Sequence, residues 1–120
     1  AAVSAFLKRI VFGRIARPTK YFEDQGIALD LVPNVDFARV FSFPSGHTMT
    51  IFMLTALLCF TLFPKRWHYL LLFVAILGGF SRIYLLQHFL QDVIVGSFVG
   101  VMLAVLMTAI VYPRLVLKQR

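Results

Sequence analysis

Apolar residues dominate three long blocks in the second half of the chain, and polar positions gather between them. The first block runs from about His47 to Phe63, where TMTIFMLTALLCFTLF carries no charge. The second starts near Trp67 and continues through HYLLLFVAILGGF to Ser81, reaching as far as Leu86. The third runs from about His88 to Tyr112 with Asp92, one turn from its start, as its only charge. A membrane-crossing helix needs about 20 mainly apolar residues, with roughly 17 as the lower limit, so the pattern predicts three spans. Pro64 and Pro113 are the expected stops, because proline cannot continue a helix's hydrogen bonding. Ala1 to about Phe12 reads as the end of a further apolar helix. Arg14 to Phe43 reads as an extramembrane loop with one short amphipathic helix. The expected architecture is all-α, a polytopic transmembrane helical bundle. Residues 1–120 form a single unit without linker or repeat, and the abrupt start predicts that amino-terminal spans are missing.

Composition sharpens this picture. The chain is 60% hydrophobic and 14% charged, whereas an ordinary soluble domain is about 45–50% apolar and about 25% charged. A soluble globule of this size cannot hide so much apolar surface. The net charge of +7 does not point to nucleic acid. Between Val40 and Tyr112 only Lys65, Arg66, Arg82 and Asp92 are charged, which is membrane patterning rather than a basic binding face. The expected partners are membrane lipids, and nucleic acid is excluded. No pattern fixes the oligomeric state. Cys59 lies in an apolar run and reads as packing.

Charge also sets an expected orientation. The connection Pro64 to Trp67 and the tail Arg114 to Arg120 are purely basic, so the positive-inside rule places both in the cytoplasm. Arg14–Phe43, the Ser81-Arg82 region and the start of the third span then share the opposite face. The loop's own cations, among them Lys8, Arg9, Arg14, Arg17 and Lys20, run against the rule unless they serve an anion.

That opposite face collects Arg17, Ser45-Gly46-His47, Arg82, and His88 with Asp92. Ionisable groups at membrane depth are costly and mark functional sites. His88 and Asp92 are four apart, so on a helix they share a face. A carboxylate on one ring nitrogen fixes the tautomer and leaves the other nitrogen as nucleophile or base. Alone, such a pair is equally a buried polar stitch between helices. In Pro44-Ser45-Gly46-His47, Ser45 is a natural N-cap and the free N–H groups of a helix start bind anions. His47 there is placed to protonate a leaving oxygen, although a plain capped start reads the same way. Arg17 and Arg82 add planar cationic forks suited to phosphate. No divalent-metal spacing is present, and no cofactor is expected. His68, beside Trp67, reads as an interfacial residue.

These residues carry a family resemblance. The chain resembles the type 2 phosphatidic acid phosphatase superfamily, the membrane lipid phosphatases related to bacterial acid phosphatases and vanadium haloperoxidases. The family's second motif, Pro-Ser-Gly-His, stands at Pro44 to His47. Its third, Ser-Arg-x5-His-x3-Asp, stands as SRIYLLQHFLQD from Ser81 to Asp92. The first motif, Lys-x6-Arg-Pro, matches only at Arg17-Pro18: its lysine position is Ile10, so either Lys8 or Arg9 swings in from one or two positions away, favoured in that order, or Arg14 contributes. The resemblance implies His88 as the nucleophile of a phosphohistidine intermediate, Asp92 as its orienter and His47 as the acid. It implies Arg17, Arg82, Ser45, Gly46, Lys8 and Arg9 around the phosphoryl group. It also implies a six-span core, of which this chain is the carboxyl-terminal part, in the bacterial inner membrane with the site facing the periplasm or exterior.

The expected function is metal-independent dephosphorylation of a lipid phosphate or lipid pyrophosphate. Phosphatidate, phosphatidylglycerol phosphate, undecaprenyl pyrophosphate and lipid A phosphates are the candidate substrates. A vanadate-dependent haloperoxidase-like enzyme and an inactive lipid-binding membrane protein remain as alternatives. Gly96 and Gly100 read as internal helix packing ahead of a dimer interface, and Gly78-Gly79 as a bend that turns Arg82 inward. Phe22 to Phe43, with Phe37, Phe41 and Phe43, reads as an amphipathic lid.

Overall fold

Helix starts and stops follow local chemistry. Ser45 has extended backbone angles and its Oγ accepts from the Thr48 N–H, an N-cap that opens α3, Gly46–Thr61. The helix ends before Pro64, as the sequence predicts, and Pro64 leads into a 3-10 turn, Lys65–Trp67. That turn feeds α4, His68–Tyr84. A tight turn through Leu86, whose φ is +52°, reverses the chain into α5, Leu90–Lys118. At the amino end, α1 is Ala2–Phe6, continued by a π-helical turn, Leu7–Val11. The loop holds one short helix, α2, Pro18–Asp24, with Pro18 at its first position. The computed structural model describes residues 2–29 and 38–118, with side chains to position 111. Phe37 of the expected lid and the tail cations Arg114, Lys118 and Arg120 lie outside the described side chains.

All described elements are helical, and the only extended pairing among them is an isolated antiparallel bridge between Ala16 and Val40. Two helical stretches are long and apolar enough to cross a membrane, Lys65–Tyr84 with 20 residues and Leu90–Val111 with 22. The expected first span is shorter: α3 has 16 residues, about 24 Å at 1.5 Å per residue. A second difference lies at Pro113. The sequence predicts a stop there, yet α5 continues to Lys118; proline removes one hydrogen bond and bends a helix without necessarily ending it, above all in apolar surroundings.

α3 sits between α4 and α5, and the contact core is made of small or narrow groups. Met49, Ala75, Val93 and Ala104 are its buried apolar residues. Small residues let the backbones approach, which supplies packing where water cannot drive association. A Cβ at Gly96 would stand 2.7 Å from the Ser45 carbonyl oxygen, and one at Gly100 would collide with the Met49 carbonyl oxygen. Both glycines of the expected packing motif therefore face α3 within the chain. α4 runs unbroken through Gly78 and Gly79, which serve as close-approach points against Ile51 and Val93 rather than as a helix break. The outer face of α4, with Leu70, Phe73, Leu77 and Phe80, is exposed and apolar, the surface of a helix meant for lipid or other helices.

Candidate active site

The antiparallel order of α3, α4 and α5 brings the start of α3, the end of α4 and the start of α5 to one end of the bundle. Backbone hydrogen bonds fix that meeting: Ser45 N–H donates to the Asp92 carbonyl at 3.0 Å, and His88 N–H donates to the Arg82 carbonyl at 3.2 Å. The sequence places ionisable groups at these three points, and the fold gathers them.

His88 and Asp92 are completely enclosed, 1% and 0% exposed. They do not share a helix face as the spacing predicts, because α5 begins only at Leu90 and His88 lies in the preceding bend. Contact is made differently. Asp92, in the first turn, reaches back so that its Oδ2 accepts from Phe89 N–H at 2.9 Å, half of a capping box. The same oxygen faces His88 Nδ1 at 3.4 Å, an ion-pair distance longer than a well-formed hydrogen bond; such contacts often tighten only when substrate binds. His88 Nε2 is buried without a hydrogen-bond partner.

Ser45 is buried, and its Oγ lies 2.9 Å from Thr48 Oγ1. Its hydroxyl is thus engaged in capping, and the free N–H groups of the α3 start remain for an anion. Gly46 and His47 line a cavity of about 360 Å³ together with Ser4, Lys8, Arg17, Thr50 and Ile51. A second cavity, about 330 Å³, holds Lys8, Arg9 and Arg17 beside Val40 and Phe41. Lys8 lines both, whereas the exposed Arg9 lines only the second. Ile10 points outward and is 71% exposed. The π-turn Leu7–Val11 carries one extra residue per turn relative to an α-helix, and it presents Lys8 beside Arg17. Lys8 is half-buried and pushed down to about 8, first by burial and then by the Arg17 charge, with Asp92 opposing. Arg17 is drawn below its usual value by burial, again with Asp92 opposing.

The two arginines are held by a residue the sequence pattern did not single out. Arg17 Nη1 donates to the Gln87 carbonyl at 3.3 Å, and Arg82 Nη1 donates to Gln87 Oε1 at 3.2 Å. Arg82 Nε also donates to Ser81 Oγ at 3.3 Å. Ser42 is a second such residue: its hydroxyl donates to Asp92 Oδ2. No sequence rule marks either one. The loop covers part of this end, with Tyr21 of α2 edge-on to Phe89 at 5.9 Å and Arg39 paired with Glu23 at 3.0 Å. Among the described residues, no group of three or more His, Cys, Asp or Glu converges as a metal site would.

The family model described as PAP2 superfamily matches residues 1–115. A lipid A 1-phosphatase from Rhizobium etli is 39% identical over 108 residues, covering 90% of this chain and 44% of its own length. The chain therefore spans less than half of that relative. No solved structure matches.

Proposed function

The chain belongs to the PAP2 superfamily, and from that premise we propose that it is the catalytic portion of a membrane phosphatase acting on a lipid phosphate or lipid pyrophosphate through a phosphohistidine. The observation that carries the reading is the buried His88, its Nε2 unpartnered and Asp92 behind Nδ1, at the helix end that also gathers Lys8 and Arg17. In the first step the Nε2 lone pair attacks phosphorus. An N–P bond forms, the P–O bond to the lipid breaks, and the departing oxygen takes a proton from His47. Water then gives a proton to His47 and attacks phosphorus, and the N–P electrons return to Nε2 as phosphate leaves. Asp92 holds the imidazole and stabilises its cationic form. Lys8, Arg17, Arg82 and the N–H groups at Gly46 and His47 neutralise the equatorial oxygens, where most of the charge in phosphoryl transfer lies. No step calls for a metal ion or cofactor.

The lipid A 1-phosphatase relative supports a lipid A phosphate as one substrate to test, beside phosphatidate, phosphatidylglycerol phosphate and undecaprenyl pyrophosphate. The proposed setting is a polytopic helical bundle in the bacterial inner membrane, with the site facing the periplasm. The test is phosphate release by the full-length protein in detergent, with chelator present, from each of these four lipids. Release that survives chelation and is lost in both His88→Ala and His47→Ala is the expected result. Wild-type turnover by His88→Ala overturns the nucleophile, and silence on all four lipids overturns the phosphatase.

A further inference from the structure

We propose that Ser42 is a positioning residue for the His88–Asp92 pair, a role that rests on the phosphatase reading above and lies outside the motifs that suggested it. Ser42 is fully buried, and its hydroxyl donates to Asp92 Oδ2 across a separation of 50 residues. That oxygen also accepts from Phe89 N–H at 2.9 Å and faces His88 Nδ1 at 3.4 Å. Asp92 Oδ1 has no hydrogen-bond partner. All restraint on the carboxylate therefore acts through one oxygen, from two donors. The terminal torsion of an aspartate is broad and roughly two-fold, so a carboxylate held only by Phe89 N–H is free to turn away from the imidazole.

The segment that carries Ser42 also holds the cation cradle. Ser42 N–H donates to the Ile15 carbonyl at 3.1 Å, Arg17 N–H to the Arg39 carbonyl at 3.0 Å, and Arg17 Nε to the Val40 carbonyl at 3.2 Å. Phe41, between these contacts, sits in the left-handed region with φ +61°, a conformation that costs a bulky residue energy and is concentrated at functional sites. It turns the chain from the Arg17 side to the Asp92 side within one residue. Ser42 thus sets nucleophile and cradle in one register without touching substrate.

The experiment compares wild type, Ser42→Ala, Ser42→Cys and Ser42→Thr of the full-length protein in detergent, with lipid A and dioleoyl phosphatidate as probes. Loss of a hydrogen bond to a charged group is expected to lower kcat about tenfold in Ser42→Ala, with KM within about twofold because the cradle is intact. Ser42→Cys keeps the volume but only a weak donor, so it should resemble Ser42→Ala and carries the comparison if the alanine variant does not fold. Ser42→Thr restores the hydroxyl and should recover most of kcat. Wild-type kcat in Ser42→Ala or in Ser42→Cys overturns the assignment, as does a parallel loss of kcat, KM and thermal stability in every variant, the signature of a packing role. The same comparison is run on whichever of the four lipids wild type hydrolyses: silence on all four means that the phosphatase reading itself has failed, and if wild type is active and His88→Ala is not, only the Ser42 assignment is at stake.

Discussion

Lys8 shows how a residue's place in the fold outweighs its place in a motif. Counting back from Arg17 puts the family lysine at Ile10, which points outward, while Lys8, two positions earlier, shares both cavities with Arg17. With its ammonium at about 8, the charged form, which is the one proposed to bind phosphate, prevails below that pH and is lost above it. Phosphatase kcat/KM should therefore fall as pH rises through about 8, and Lys8→Arg, whose guanidinium stays charged, should move that fall to higher pH. A pH profile identical in wild type and Lys8→Arg removes Lys8 from the cradle. Lys8→Ala should cost roughly 10- to 100-fold in kcat/KM, as for a lost charge-assisted hydrogen bond, and the exposed Arg9→Ala about threefold at most. His88, Asp92, His47, Ser45, Arg17 and Arg82 were legible as candidates from motif spacing because each belongs to a short local pattern. Ser42 and Gln87 were not, because their partners are set by chain closure: Ser42 meets Asp92 across 50 residues, and Gln87 meets Arg17 across 70.

At the scale of the element, the crossing of α3 and α5 is where packing and the site are the same problem. The neighbour of Gly96 is the Ser45 carbonyl at the α3 start, whereas a Cβ at Gly78 would meet only the tip of Ile51, at 2.7 Å from its Cδ1. Backbone cannot yield as a flexible side-chain end can. Gly96→Ala should therefore push α5 off the turn at the α3 start, with an overpacking cost of about 1–3 kcal/mol and a clear loss of phosphate release. Gly78→Ala should be tolerated in both respects. Thermal unfolding in detergent and turnover on the same preparations check this; equal behaviour of the two variants contradicts the close-approach account. Apolar blocks and Pro64 made three helices legible in advance, and Gly-x-x-x-Gly made their contact legible. The start of α5 was not, because Asp92 caps the helix by reaching back to Phe89 and so leaves His88 in the bend, which a periodicity of 3.6 has no means to register.

For the whole molecule, five of the 12 Lys and Arg residues mark opposite ends of the helices. Lys8, Arg17 and Arg82 converge where α3 and α5 start, and Lys65 and Arg66 sit exposed in the turn that begins α4, beside the half-exposed Trp67 and the exposed Tyr69. Cations with flanking aromatic residues at a helix end are the signature of an interface anchor, and by the positive-inside rule the proposed cytoplasmic side is that of the short basic turn. In the proposed reading the cations near Asp92 serve the substrate's phosphate, and on that reading they do not count toward orientation. The two ends should then lie on opposite sides of the membrane. In a Cys59→Ala background, Arg39→Cys at the site end should react with a membrane-impermeant thiol reagent in intact spheroplasts. Lys65→Cys should react only after permeabilisation. Arg39 and Lys65 are both exposed, so a difference between them reports the membrane and not burial. The reverse labelling pattern inverts the orientation, and equal labelling of both before permeabilisation denies that α3, which joins them, separates two compartments.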